Sequence, residues 1–273
     1  MFTTSNQHLS EDRIAVFVAS CDAYSDLWPP FFNLFDKYWP DCRFRKYLLC
    51  NEKVPRLKDV IPLNIGTDVD WTSNVKKGLG GVEEEFVIFF VEDLFLTAKV
   101  DTGSLVQAVQ VFQALGGNSL KLVPTVQADR RCNEFFGESS AGSPYRVSTV
   151  ATVWRKSALL DILLEGENAW QFEVFGTQRA VGYSGFYCAH RAHFRLYNAV
   201  IKGRFRRHAL ARVQRLVGER IESARETLSW KDDFFYQLKV WRFNLLMSLP
   251  FSLGTRLRRL CDRDQKYRTS KNG

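Results

Sequence analysis

Apolar positions along this chain fall into short unbroken runs separated by stretches of helical spacing. The longest run, Phe86-Val87-Ile88-Phe89-Phe90-Val91, ends in two adjacent carboxylates, Glu92 and Asp93, before Leu94-Phe95-Leu96. A run this rich in β-branched and aromatic residues predicts a strand buried on both faces, the kind found in parallel sheets covered by helices. Arg13 to Ser20 predicts a first strand. It leads into a polar turn, Cys21-Asp22-Ala23-Tyr24-Ser25-Asp26, and then a helix that Pro29 and Pro30 fit at its first turn and that continues through Phe31, Phe32, Leu34 and Phe35. Arg45 to Cys50 predicts a second strand and Val60 to Ile65 a third, whose Pro62 suits a sheet edge. Asp70 starts a helix that reaches about residue 82.

Beyond the acidic pair, Asp101 to Leu115 has helical spacing and stops at Gly116-Gly117. Leu120 to Val123 predicts a strand, residues 124–143 a long polar loop, and the alternating Tyr145 to Trp154 another strand. Lys156 to Leu164 predicts a short helix and Val181 to Cys188 a last strand. Phe205 to Glu226 predicts an arginine-rich helix. Trp230 to Leu249 is a strongly apolar segment carrying Lys239 and Arg242, with Arg256, Arg258 and Arg259 after it. Strands alternating with helices predict an α/β fold, Rossmann-like, with a mixed, mostly parallel sheet flanked by helices. Three regions follow: a disordered lead-in over 1–12, a body over 13–204, and a basic, amphipathic helical region over 205–273.

Composition places the chain among ordinary globular proteins, with 45% hydrophobic and 25% charged residues. The 14% aromatic content fills the core and leaves rings for stacking on bases or sugars. Six cysteines without a C-x-x-C pair, and an N-terminus without an apolar leader, predict a reducing, cytoplasmic setting. No apolar run reaches the roughly 18 residues that a membrane span needs. Charge changes the picture more. From Lys202 onward, 18 Lys and Arg face 7 Asp and Glu, a net +11, whereas the whole chain carries +8, so the residues before it sum to −3. Nucleic acid, an anionic membrane face or a polyanionic substrate would each suit such a tail. Nucleic acid is not expected as a partner, since no reading helix or zinc spacing accompanies the charge. The apolar tail suits peripheral contact with the inner membrane from the cytoplasmic side, or packing on the body or on a second subunit.

Candidate chemistry gathers at the strand ends. Open α/β sheets bind ligands beyond the carboxyl ends of their strands. Two acids there repel one another unless something positive comes to them, and a divalent metal (Mn or Mg) carrying a diphosphate is the natural candidate; otherwise the pair caps the next turn. No glycine-rich G-x-G-x-x-G loop follows the first strand, which argues against a dinucleotide. Asp22, Tyr24 and Asp26 lie where a base and ribose would be held, or else Ser25 or Asp26 is a helix N-cap and Tyr24 an exposed tyrosine. The helix start at Asp70, with Trp71 and Asn74, offers free N–H groups to phosphate. Acids, an amide and a tryptophan in 165–173 suit a sugar, or belong to a helix C-terminus with the tryptophan in the core. His190 and His193, three apart, suit two metal ligands on one helix face, or are ordinary residues.

Taken together these segments resemble a family. The residues that carry the resemblance are Cys21 to Trp28, Asp70-Trp71-x-x-Asn74, the acidic strand end with Leu94-Phe95-Leu96, Tyr145-Arg146-Val147-Ser148 with Trp154-Arg155-Lys156, Glu167 to Glu173, and Asn198 to Arg204. They look like a bacterial GT-A-type glycosyltransferase of surface polysaccharide synthesis, whether capsule, exopolysaccharide or lipopolysaccharide. The resemblance implies a GT-A-like body and transfer of a sugar from a nucleotide-diphosphate sugar to a saccharide acceptor, which can be lipid-linked. The family's acidic motif is Asp-x-Asp or Asp-Asp. Here Glu92 takes the first place, and Leu94 is apolar where a strict Asp-x-Asp has its second aspartate. The resemblance implies donor contacts from Asp22, Tyr24, Asp26, Trp71, Asn74, Glu92, Asp93, Lys202 and Arg204, and sugar or acceptor contacts from Tyr145, Arg146, Asn168 and Trp170. It also implies a metal on Asp93 and Glu92, with His190 or His193 as a further ligand. For the base, Glu173 is the first choice and Glu167 the second.

Overall fold

The computed structural model describes residues 13–248. The predicted lead-in over 1–12 and the basic residues after 248 lie outside them. Nine strands form one mixed sheet. Its first half holds β1 (Ile14–Ala19), β2 (Arg45–Cys50), β3 (Val60–Asn64) and β4 (Phe86–Val91). The rest are β6 (Ser119–Lys121), β7 (Arg130–Arg131), β8 (Phe136–Glu138), β9 (Thr152–Arg155) and β10 (Phe186–Ala189), while β5 (Leu94–Leu96) stands outside this sheet. The spatial order is β3-β2-β1-β4-β9-β6-β10-β8-β7. Strands β1 to β4 pair in parallel wherever they touch, β9 runs against both β4 and β6, and β10 is parallel to β6. The carboxyl ends of β1 to β4, β6, β7 and β10 therefore share one edge. Pro62 lies in β3 at the end of the sheet, as its missing N–H requires.

Alternation along the central strands builds two cores. Ile14, Val16 and Val18 with Phe86, Ile88 and Phe90 face α1 (Trp28–Tyr38), α3 (Thr102–Ala114) and α6 (Ala209–Val217). Ala15, Phe17 and Ala19 with Val87 and Phe89 face α2 (Trp71–Leu79), α4 (Lys156–Ile162) and α5 (Ala169–Arg179). β1 and β4 pair over six residues, from Ile14↔Phe86 to Ala19↔Val91. Phe90 packs against Phe31, Phe35 and Phe194 at ring separations of 6.4, 5.9 and 5.1 Å. Such packing makes the strand end rigid. The turn holding Glu92 and Asp93 is thus mounted on a strand whose first five residues are buried.

Several segments depart from the pattern-based expectation for definite reasons. The alternating stretch from Tyr145 is strand only from Thr152. Tyr145 and Ala151 have φ of 49° and 40°, and the buried Arg146 guanidinium donates to the carbonyls of Ser139, Ala180 and Tyr183, which curls the chain around it. Residues 165–173 contain a helix start: Asn168 accepts from the Gln171 N–H while the Gln171 side chain accepts from the Asn168 N–H, a capping box. The 124–143 loop contains the short β7–β8 pair. The predicted strand from Val181 forms only over β10, after a 3-10 turn at Ala180–Gly182. The predicted helix over 205–226 is helical only in α6, because Gly218 ends it at φ 90°. Residues 219–228 then run extended, back across the sheet edge, to α7 (Trp230–Ser248). Around His190 and His193 the chain bends between β10 and β11 (Leu196–Asn198), so the two share no helix face.

Candidate functional site

Glu92 and Asp93 form the two-residue turn between β4 and β5. β5 pairs antiparallel with β11, Leu94 opposite Asn198, and the Ala199 N–H donates to the Asp93 carbonyl at 3.3 Å. The turn is therefore pinned from both sides. Burial, then the charge of Asp93, pushes the Glu92 carboxyl well above its usual range, although Arg225 and the Ser20 hydroxyl oppose the shift. Burial pushes Asp93 up to about 6, again against Arg225. The pair is short of positive charge. Asn198 Oδ1 is buried and has no hydrogen-bond partner among the described residues, although its Nδ2 reaches the Tyr236 hydroxyl at 3.5 Å. The oxygens here are of the hard kind that Mg and Mn take, and their excess negative charge fits a cation. No group of three or more His, Cys, Asp or Glu that could hold a metal occurs among the described residues.

The turn after β1 approaches the acids. Charge on Glu92 and Asp93 raises the Tyr24 phenol further, after burial, and Glu92 and Asp68 do the same to the Cys21 thiol. Asp22 clamps the end of β2. Its Oδ1 accepts from the Asn51 N–H and its Oδ2 from the Glu52 and Lys53 N–H groups, each at 2.9 Å. These donors lower its pKa even against desolvation. Asp26 turns outward to the returning chain. It takes a forked ion pair from Arg225, with bonds of 2.8 to 3.1 Å, and a 2.5 Å bond from the Ser223 hydroxyl.

Arg225 is the site component that periodicity did not reveal. Its guanidinium lies 4.2 Å over the Tyr24 ring and also donates to the carbonyls of Ala23 and Gly203. Lys202 and Gly203 make the turn between β12 (Val200–Ile201) and β13 (Arg204–Phe205), with φ of 49° and 76°, the left-handed pair a tight hairpin requires. A Cβ on Gly203 would stand 4.0 Å from the Tyr24 hydroxyl and 3.7 Å from Arg225 Nη1. Lys202 is exposed at this tip, and Arg204 lies 3.9 Å from Asp232. Arg206 pairs with the buried Asp233 at 3.1 Å and faces the Tyr236 ring, and Asp93 adds to the shift of the Tyr236 phenol. The acids are thus bordered by Tyr24, Arg225, Asn198 and Tyr236. Only Tyr24 among these four was a sequence candidate. A glycine-ended arginine helix gives no sign that the chain beyond it folds back.

Other candidates gather along the same edge. Trp71 packs between Phe89 and Phe172 at 5.9 and 5.6 Å, and Asn74 is buried, holding Asp68 at 2.5 Å and the Val69 N–H at 3.3 Å. Both shape the loop before α2, whose N-cap Asp70 accepts from Ser73 and is held down to about 2, its hydrogen bonds outweighing desolvation. Segment 148–151, which enters β9 beside the end of β4, binds Glu173. The Thr149 N–H at 2.7 Å, the Thr149 hydroxyl at 2.9 Å and the Ser148 hydroxyl at 3.3 Å all donate to its Oε1, and burial raises its pKa. None of these three donates to Oε2. The charge of buried Lys121 also acts on Glu173, while its ammonium donates to the Tyr145 carbonyl at 3.1 Å. Glu167 is differently placed. Both its oxygens are taken by Arg179, at 2.7 and 2.6 Å, and its backbone exchanges bonds with Thr72. Asn168 is spent as a helix cap, Arg146 is buried on three carbonyls, and Trp170 is exposed on α5. His190 lies against the Asn133 carbonyl, and burial lowers the His193 pKa.

No family model and no curated protein matches the chain. Among solved structures it is similar to residues 1–349 of S. aureus TarS, at 14% identity over 75% of this chain and 64% of that one, with a TM-score of 0.47. The same protein in complex with UDP gives 15% identity, the same coverage and 0.47. In complex with UDP-GlcNAc it gives 14%, 89% and 69% coverage, and 0.46. The match thus spans just under two thirds of the first of these chains. Likeness at this level establishes neither family nor activity.

Two outcomes are expected from this geometry. Because the folded pKa of Asp93 lies above its ordinary 3.8, the folded chain holds a proton that the unfolded chain has lost between about pH 4 and 6. Stability therefore falls as pH rises through that window, by about 2–3 kcal/mol. Asp93→Asn should remove this fall and raise the urea midpoint at pH 7; a less stable variant at pH 7 would contradict the buried, undercompensated acid. Arg225→Ala should cost about 2–3 kcal/mol by stranding Asp26. A double-mutant cycle with Asp26→Asn should show coupling above about 1 kcal/mol, whereas additive losses would mean that the clasp is incidental.

Proposed function

We propose that this chain is a glycosyltransferase that moves a sugar from a nucleotide-diphosphate sugar to a saccharide acceptor in bacterial surface polysaccharide synthesis. The observation that carries the reading is the pair of acids, Glu92 buried and Asp93 half-buried, short of positive charge, at the carboxyl end of the central strand and beside the Tyr24 turn. Nothing in a purely structural role calls for such a pair.

In this reading Asp93, with Glu92, holds a divalent Mg or Mn ion, and Asn198 Oδ1 supports it. When bound, the ion supplies positive charge to the donor's diphosphate. The base and ribose lie along the Asp22–Tyr24 turn, where Tyr24 offers its ring edge and hydroxyl and Asp22 keeps the turn in place. Asp26 acts indirectly by fixing Arg225. Lys202, at the tip of the hairpin over Tyr24, reaches the leaving diphosphate, and Arg204 adds positive charge beside it. Trp71 and Asn74 hold the loop that closes the donor side. Glu173 takes the proton of the acceptor hydroxyl as that oxygen bonds to the anomeric carbon and the sugar–phosphate bond breaks. Burial raises its pKa, which strengthens it as a base, and its bonding fixes one oxygen. Glu167, already held by Arg179, supports the helix that carries Glu173. Trp170 offers an exposed ring to the acceptor sugar, near the segment that Tyr145, Arg146 and Asn168 shape.

The test combines thermal shift with product detection. Nucleoside diphosphates and their sugars are screened with and without Mn, and transfer is read by mass spectrometry. One nucleotide should stabilise the chain in a metal-dependent way. Asp93→Ala should lose both stabilisation and transfer. Glu173→Gln should keep nucleotide binding while the turnover rate falls by about 10²–10⁴. Stabilisation by none of these ligands, or full transfer by Asp93→Ala, would overturn the proposal; saccharide affinity without transfer would mark a binding protein instead.

A further inference from the structure

Helix α7 is fastened to the body along one narrow side. Asp233 is buried and accepts from Arg206 at 3.1 Å and from Gln237 at 2.7 Å, and Tyr236 lies against the same guanidinium. The opposite side is uncovered. Trp230, Phe234, Leu238 and Trp241 recur at spacings of four, four and three, which puts them in one stripe along the helix. Trp230 is 60% exposed and Trp241 62%, and Phe235 is 60% exposed beside them. Of the fifteen large hydrophobic residues exposed among the described residues, six fall between Trp230 and Trp241. That concentration is a patch and not the ordinary scatter of surface side chains.

Charge selects what covers it. Lys231 and Lys239 are exposed on the same outward half of the helix, with the Lys231 ammonium 6.0 Å from the Trp230 ring. The two acids of this stretch are turned elsewhere: Asp233 to Arg206, and Asp232 to the Ser229 hydroxyl at 2.9 Å and toward Arg204. The outward face therefore presents tryptophan, phenylalanine and lysine, and the exposed Asp232 at its margin is already engaged by Ser229 and faces Arg204. Aromatic rings that bridge water and hydrocarbon, rimmed by lysines whose stems extend along an apolar surface, are what an anionic bilayer interface receives. A second copy of the chain would bring the same lysines against themselves. The chain from Lys202 onward also carries 18 basic against 7 acidic residues, which adds long-range attraction to such a surface. No helix among the described residues is long and apolar enough to cross a membrane.

We propose that the outward face of α7 lies in the headgroup region of an anionic phospholipid bilayer, with Trp230, Phe234, Phe235 and Trp241 inserted and Lys231 and Lys239 at the lipid phosphates. Tyr236, on the fastened side of the same helix, meets Asn198 at 3.5 Å, and Asn198 lies opposite Leu94, the residue after the acid pair, so the helix that contacts the membrane is joined to the edge that holds the acids. The inference does not depend on the transfer reaction, because membrane binding is measured without donor or acceptor.

The experiment is co-sedimentation of the full chain with vesicles of phosphatidylcholine alone and of phosphatidylcholine mixed with phosphatidylglycerol, together with quenching of tryptophan fluorescence by brominated lipid. Binding should require the anionic lipid and weaken as salt is raised. Lys231→Glu with Lys239→Glu should lower the affinity by about tenfold or more. Phe234→Ser with Trp241→Ser should abolish both sedimentation and quenching, while the circular dichroism and urea midpoint stay unchanged. Equal binding to neutral vesicles, binding unaffected by either pair of substitutions, or absence of vesicle binding with a concentration-dependent dimer would overturn the proposal. The last result would identify a second copy as the occupant.

Discussion

Glu92 is buried and Asp93 half-buried at the end of the strand that anchors the whole sheet, and the positive charge nearby is insufficient for both. Burial raises both carboxyls, and the charge of Asp93 raises Glu92 further. The strand end cannot move away to relieve them, because β4 pairs with β1 over its full length and its rings interlock with α1. Side chains that the fold must keep protonated or neutralise are a stability cost located at one point. Such a cost is usually met by a ligand that supplies the missing charge.

The C-terminal return closes the account. After α6 the chain doubles back through residues 219–228, and Arg225 reaches Asp26, Tyr24 and the carbonyls of Ala23 and Gly203. One side chain thereby ties three segments that are far apart in sequence. It also sends part of its field to the acids without cancelling it, since its direct partner is Asp26. The arrangement fixes the Tyr24 turn while leaving Asp93 still in search of a counter-charge. The same return carries α7 to the edge of the site, so the contact surface of that helix and the acids share one support.

Much of the frame was legible in the chain. The buried run ending at Val91 is the innermost strand of the sheet's parallel half, fourth of nine, Pro62 marks an edge, and Asp70 and Asp101 cap the helices that follow them. These features are local: period, cap and missing donor are written in neighbouring residues. What was not legible depends on contacts distant in sequence. Tyr145 to Ala151 alternates like a strand, but a buried arginine gathering three carbonyls wins over strand propensity. Glu167 and Glu173 look equivalent in the sequence. Only the fold shows that Arg179 takes both oxygens of one, while three hydroxyl and amide donors hold a single oxygen of the other. His190 and His193 have helical spacing, yet they lie in a bend. The approach of Arg225 required a chain reversal after Gly218 that no periodicity announces.

The most direct measurement is the proton balance of ligand binding. Titration calorimetry of a nucleoside diphosphate with Mn, repeated near pH 6 in buffers of different ionisation enthalpy, counts the protons released when the ligand enters. A raised carboxyl that gains a cation must give up its proton, so the account predicts net release near pH 6 that is smaller in Asp93→Asn, where only Glu92 is left to supply it. Binding of the same ligand with no proton exchange at any pH, or with identical release in Asp93→Asn, would contradict it.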